Sequence, residues 1–167
     1  MDRLKNLFDP QEAQGFIAEH PTIPPELALR VYTSRLIVKD PNLVLHGGGN
    51  TSVKLKMKNI VGEEREVLYV KGSSKDLAII EPSGFVGLEL APLLKLQRLS
   101  QLADDEMENQ LHIHKVAFSS PHQSVEALLH AFLPSRYVDH THADAILILT
   151  HQKDWENLLR NVLGEKA

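Results

Sequence analysis

Arg136-Tyr137-Val138-Asp139-His140-Thr141-His142 is the stretch that decides the fold of this chain. Its aromatic and β-branched residues predict a strand, in which side chains two positions apart point to the same face. His140 and His142 would therefore project side by side. Neutral imidazole nitrogens bind Zn²⁺ and similar ions well, and a catalytic site needs three protein ligands and one open position. The pair supplies two of the three ligands.

A second His-x-His pattern shows that this spacing alone is not sufficient to assign a metal site. His112 and His114 lie in a segment, 107–116, that follows three acidic residues and is predicted to be helical. Residues two apart on a helix are separated by about 200° around its axis, so we expect this pair not to share an ion. With nine histidines in the chain, a chance pairing is also an open alternative for His140 and His142.

The composition limits the class of protein and of partner. A length of 167 residues with 43% hydrophobic content predicts a single domain, residues 1–167. The net charge of -4 is spread along the chain, which argues against nucleic acid and against an anionic membrane as partners. Without cysteine, a metal site must use histidine and carboxylates, and a cytoplasmic location is expected. No apolar run is long enough to span a bilayer, and the N-terminal residues lack the charged-then-apolar pattern expected of a secretory signal.

Two polar loops adjoin a predicted β-hairpin. Residues 53–58 alternate apolar side chains with lysine, which predicts a half-buried strand, and 67–70 form the returning strand. The first loop, His46 to Ser52, is rich in glycine, and the second is Lys71-Gly72-Ser73-Ser74-Lys75. Each is either a plain turn or an anion site in which backbone N–H groups and hydroxyls approach a phosphate. The first loop lacks the spacing of a dinucleotide-binding fingerprint.

Helical spacing predicts most of the remaining elements. A short strand is expected over 85–88, and helices are expected over 10–19, 26–39, 90–102, 107–116, 124–133, 144–151 and 153–163. Glu126 lies near the start of the helix 124–133, where the helix dipole favours its charged form. It is either a simple end charge or, if Pro134 to Arg136 turns the chain back, a carboxylate that faces His140 and His142. A carboxylate so placed can move a proton next to a carbonyl.

Four motifs occur in an informative order along the chain. They are Gly49-Asn50-Thr51-Ser52, Lys71-Gly72-Ser73-Ser74, Ser124-Val125-Glu126 and Val138-Asp139-His140-Thr141-His142. This order resembles the class II aldolase/adducin family of sugar-phosphate aldolases over residues 26–150. Among its members, the chain is most similar to the aldolase portion of the bifunctional rhamnulose-1-phosphate aldolase/alcohol dehydrogenase proteins.

The resemblance implies a fold, a ligand set and a reaction. The fold is a three-layer α/β/α arrangement with a central, mainly antiparallel sheet, and the assembly is a homo-oligomer, usually a tetramer. His140 and His142 would bind Zn²⁺ or another divalent metal, and Glu126 would be the catalytic acid/base in retro-aldol cleavage of a ketose 1-phosphate of the rhamnulose or fuculose type. The substrate phosphate would be held by Gly49, Asn50, Ser52, Ser73, Ser74 and Ser124.

Two departures from the family pattern leave alternatives open. Val125 stands where the family often has a second phosphate-binding serine. The family's third histidine ligand is missing, because His151 would lie about 12 Å along a helix from the pair. His46 and Asp144 are outside candidates; otherwise the third position holds water or the chain is part of a longer protein. The alternatives to an aldolase are a non-catalytic, adducin-like assembly module and a same-fold sugar-phosphate epimerase or dehydratase.

Overall fold

The computed structural model describes residues 6–45 and 47–164. Its centre is a four-stranded antiparallel sheet with the strand order β3-β2-β1-β4. The strands are β1 (Asn50–Lys58), β2 (Glu64–Lys71), β3 (Phe85–Glu89) and β4 (Tyr137–His140). The described residues also form seven α-helices: α1 (Pro10–Glu19), α2 (Pro25–Ile37), α3 (Leu90–Lys95), α4 (Asp104–Ile113), α5 (Ala127–Phe132), α6 (Asp144–Thr150) and α7 (Trp155–Leu163).

Helices pack on both faces of the sheet, because alternate residues of each strand point to opposite sides. Leu68 and Val70 of β2 belong to a core that includes Leu93 of α3 and Leu111 of α4. Tyr69, which lies between them on β2, packs against a second core that includes Val31 of α2. The expected α/β class with a central antiparallel sheet is therefore confirmed.

The predicted elements are present, but several ends differ. The helix predicted over 90–102 ends at Lys95 and continues only as a 3₁₀ turn, Leu96–Arg98. The helix predicted from Ser124 begins at Ala127, because the Ser124 hydroxyl accepts the Glu126 N–H in a local turn. The strand predicted to carry both histidines ends at His140, whose partner Asn50 is the first residue of β1.

An ion pair between a buried arginine and an exposed aspartate ties β4 to α2. Arg30 of α2 is 2% exposed, and its Nη1 lies 2.7 Å from Oδ1 of Asp139. On the same face, the hydroxyls of Ser34 and Thr51 are hydrogen-bonded at 2.8 Å. Because side chains alternate along a strand, Asp139 on this face leaves its neighbour His140 on the other.

In the described part of the chain, none of the helices combines the length and the apolar character that crossing a bilayer requires.

Candidate metal centre

Three side chains converge at the end of β4. Glu126, His140 and His142 each offer a ligand atom, and these atoms all lie within 4.8 Å of one another. His142 lies just beyond the strand, where its N–H donates to the carbonyl of Leu43 at 2.9 Å. The two imidazole rings are 4.9 Å apart between centroids and are inclined by 55°. The structure thus brings together the three residues that the sequence analysis assigned to metal binding and acid/base chemistry.

The two oxygens of Glu126 have different environments. Oε2 accepts a hydrogen bond of 2.9 Å from the amide of Asn50 and one of 3.5 Å from the Ser124 hydroxyl. Oε1 lies 3.2 Å from Nδ1 of His140. That nitrogen is buried and lacks a well-formed hydrogen bond. One carboxylate oxygen is therefore fixed by amide and hydroxyl donors, while the other faces the histidine pair.

The donor set fits a divalent cation. Imidazole nitrogen and carboxylate oxygen are ligands that Zn²⁺ and other transition-metal ions accept, and His140 and Glu126 point such atoms toward each other without a well-formed hydrogen bond. His140 and Glu126 are partly exposed and His142 is exposed, so solvent can reach the cluster. Glu126 thus places a carboxylate oxygen within reach of the histidine pair, where it can act as an acid/base beside a bound cation.

The surroundings of Glu126 favour its ionised form. Burial by itself raises the pKa of this carboxyl, but the Asn50 amide and the nearby His140 together outweigh burial, so the pKa of Glu126 is lowered overall. A carboxylate that remains ionised near neutral pH can accept a proton or bind a cation.

A buried histidine lies behind the cluster. His130 of α5 is 0% exposed, and its Nδ1 is 2.8 Å from the hydroxyl of Ser52. Burial lowers the pKa of His130 from 6.5 to about 4, so the ring is neutral at pH 7. The sequence analysis did not single out His130, although its spacing of four from Glu126 placed both on one helix face. Ser52, predicted to hold phosphate, is fully buried and bonded to this ring, and its placement does not support that role.

The glycine-rich loop packs closely against the histidine strand. A Cβ atom on Gly49 would lie 2.8 Å from the carbonyl oxygen of His140, and one on Gly48 would lie 3.2 Å from Nδ1 of His142. The φ of Gly49 is +70°, a conformation that favours glycine. The glycines therefore have a packing reason that does not require an anion. Asn50, also predicted to bind phosphate, is 1% exposed and donates to Glu126.

The turn after β2 has few free backbone donors. The N–H of Gly72 donates to Gly84 O at 2.8 Å, and that of Ser73 donates to His122 O at 2.9 Å. Ser73 and Ser74 are exposed, and Ser74 has a positive φ of 59°. In this turn the side chains exposed to a phosphate are the hydroxyls of Ser73 and Ser74 and the ammonium group of Lys75. Ser124, 9% exposed, is the predicted phosphate residue next to Glu126.

The other candidates for a third ligand lie elsewhere. His151 is exposed at the end of α6, where its Nδ1 is 2.8 Å from the carbonyl of Leu147. Asp144 is exposed as the first residue of α6 and is not a member of the cluster. His46 lies outside the described residues.

Comparison with known proteins decides the family. Residues 29–165 match the model of the class II aldolase and adducin N-terminal domain. The chain belongs to the class II aldolase/adducin family. A solved structure of the N-terminal class II aldolase domain of a conserved protein from Thermoplasma acidophilum is 36% identical, with a TM-score of 0.81 over 97% of this chain and 71% of that chain.

A curated relative is much longer than this chain. It is named "Uncharacterized oxidoreductase YuxG" of Bacillus subtilis (strain 168), and it is 37% identical over 163 residues. The match covers 98% of this chain but only 23% of YuxG. The chain thus spans less than a quarter of the length of this relative, and the activity of the longer protein is not carried over to it.

Proposed function

We propose that this domain is a metal-dependent aldolase that cleaves a ketose 1-phosphate of the rhamnulose or fuculose type. The observation that carries the proposal is the convergence of Glu126, His140 and His142 within 4.8 Å in a chain of the class II aldolase/adducin family. His140 and His142 would hold Zn²⁺ or another divalent cation, with Glu126 Oε1 facing them.

Different residues of the site would have different roles in the reaction. A bound divalent cation would supply Lewis-acid stabilisation of the negative charge that develops next to the carbonyl when the carbon–carbon bond breaks. Glu126 would move the proton at Oε1, while the Asn50 amide holds Oε2 and fixes the orientation of the carboxylate. His130, neutral and buried behind Glu126, adds bulk without adding charge.

The proposal includes phosphate binding, but with fewer direct contacts than the sequence analysis assigned. Ser124 has its hydroxyl next to Glu126, and Ser73 and Ser74 have exposed side chains in the turn after β2. Gly49, Asn50 and Ser52 would contribute through the shape of the loop, because their own polar groups are buried or already bonded. The aldolase portion of a bifunctional aldolase/dehydrogenase is the relationship we favour. This relationship is supported by the name of YuxG, "Uncharacterized oxidoreductase", because this chain matches 23% of the length of YuxG.

The test is a retro-aldol assay of the zinc-loaded protein with rhamnulose 1-phosphate and fuculose 1-phosphate. Cleavage of either sugar is expected to release dihydroxyacetone phosphate and lactaldehyde, both measured by mass spectrometry. Glu126→Gln should lower the rate by about 10²- to 10⁴-fold, because proton transfer is lost, while His140 and His142 still retain metal. A metal-loaded protein that releases neither product overturns the proposal. A phosphorylated product of unchanged carbon number would instead identify an epimerase or a dehydratase.

Assembly is tested separately. We expect a homo-oligomer, a tetramer by family likeness, and light scattering on the purified protein measures the mass directly.

A further inference from the structure

Lys71 is a buried cation that links the two polar loops. It is the last residue of β2 and is 5% exposed. Its Nζ donates to the carbonyl of Lys75 at 2.9 Å, within its own turn, and to the carbonyl of Gly47 at 3.4 Å, in the glycine-rich loop. A single ammonium group therefore connects the turn after β2 to the loop before β1.

The loop that Lys71 contacts lies directly against both histidines. A Cβ atom on Gly48 would be in tight contact with the ring of His142, and one on Gly49 would clash with the backbone of His140. A displacement of the loop by a few tenths of an ångström would be transmitted to both residues, because protein interiors are close-packed. Lys71 thus contacts the same short segment, Gly47–Gly49, that packs against the two histidines.

The charge of Lys71 is affected both by its burial and by nearby carboxylates. Burial lowers the pKa of its ammonium group, and the carboxylates of Glu126 and Asp76 oppose that change. Hydrogen bonds from an ammonium group to carbonyl oxygens are charge-assisted and stronger than neutral ones. The contacts of Lys71 are therefore suited to holding two loops in a fixed relation.

We propose that Lys71 is a positioning residue that holds the segment Gly47–Gly49 against His140 and His142 and thereby sets the affinity of the metal centre. The inference rests on the metal site of the proposed function, and it extends that site to a residue that touches none of the ligands. It assigns Lys71 no contact with substrate.

The experiment compares Lys71→Met with Lys75→Met. Lys75 is exposed in the same turn and contributes only its carbonyl oxygen to Lys71, so its substitution is the matched control. The zinc dissociation constant is measured by competition with a chelating dye. We expect Lys71→Met to raise it by about 10-fold or more, as for residues that orient metal ligands, and Lys75→Met to change it less than about 2-fold.

Two further readouts separate positioning from general destabilisation. The absorption spectrum of the Co²⁺-loaded protein should change in Lys71→Met, because the ligand geometry changes, and should be unaltered in Lys75→Met. Backbone hydrogen exchange of residues 47–50, measured without metal, should speed up only in Lys71→Met. If Lys71→Met does not fold, Lys71→Gln, which keeps a donor, is measured in its place with a smaller loss expected.

The outcomes distinguish this inference from the proposed function. A wild-type protein that takes up no metal refutes the proposed function, and the exchange of residues 47–50 then still tests the link made by Lys71. Equal zinc affinity and equal exchange in the wild type and the Lys71 variant overturn the inference, even if the protein is an active aldolase.

Discussion

His112-x-His114 and His140-x-His142 have the same spacing but different surroundings. His112 lies in the last turn of α4, is exposed, and is followed by His114 at the C-cap. His140 is the last residue of β4, and its ring lies 4.9 Å from that of His142. Within residues 6–45 and 47–164, the one cluster of converging metal-ligand atoms contains the second pair and Glu126. The local backbone, and not the spacing, determines which pair can bind an ion.

The strongest test of this difference removes each pair in turn. The double substitution His140→Ala, His142→Ala should reduce zinc affinity by at least about 100-fold, more than the loss of an outer residue, because two direct ligands disappear. The matched double substitution His112→Ala, His114→Ala should leave zinc content unchanged. Elemental analysis of the purified variants gives the result, and equal metal in both would mean that the ion binds elsewhere.

The next test disturbs the backbone of the second pair. Gly49→Ala places a Cβ atom 2.8 Å from the His140 carbonyl at a φ of +70°. We expect a loss of about 3 kcal/mol in the free energy of unfolding and weaker zinc binding. Gly62→Ala is the control: its φ is +85°, but its surroundings are open. It should cost only the conformational penalty of about 1 kcal/mol and should leave zinc affinity unchanged. Urea unfolding of both variants measures the difference.

A third test concerns the neutral histidine behind the cluster. The folded-state pKa of His130 is about 4, below its ordinary 6.5. Between these two values the unfolded chain binds a proton that the folded chain does not, so stability should fall as the pH drops from 6.5 to 4. The loss is at most about 3 kcal/mol. His130→Asn should flatten this part of the pH dependence, whereas His112→Asn, at an exposed position, should preserve the slope.

The smallest expected effect is the gain of a weak metal site on α4. Glu108 and His112 are both exposed and four residues apart, a spacing that puts two side chains on one helix face. Glu108→His should therefore create a weak metal site on this helix. At zinc concentrations near its dissociation constant, the added stability is only about 0.4 kcal/mol. A thermal melt with and without zinc, made in the background that lacks His140 and His142, isolates this effect; no zinc-dependent shift would show that helical spacing is not sufficient.

The sequence predicted which residues come together at the candidate site better than it predicted the contacts that support them. Spacing identified His140 and His142, and the short connection from Pro134 brought Glu126 to the same side, because a strand after a helix and a tight turn has few ways to return. The sheet class and the hairpin were also predictable, since Val53 to Lys58 alternates so regularly.

Contacts between distant segments were not predictable from local patterns. The link from Lys71 to Gly47 and the pair formed by Ser52 and His130 depend on how strands and helices stack, which no spacing within one segment reveals. The occupied N–H groups of Gly72 and Ser73 belong to the same class of contact. A polar, glycine-containing turn has the same sequence whether its donors face a ligand or another loop.

The pairing of β1 with β4 affects the order in which the molecule can fold. Asn50 contacts Glu126 across 76 positions of the chain, and Ser52 contacts His130 across 78. Contacts between residues so far apart form slowly, because the intervening chain must first lose conformational freedom. During synthesis, the hairpin of β1 and β2 is complete long before the ribosome has added β4. Metal binding would therefore occur late in folding, after β4 has paired with β1 and the whole sheet has assembled.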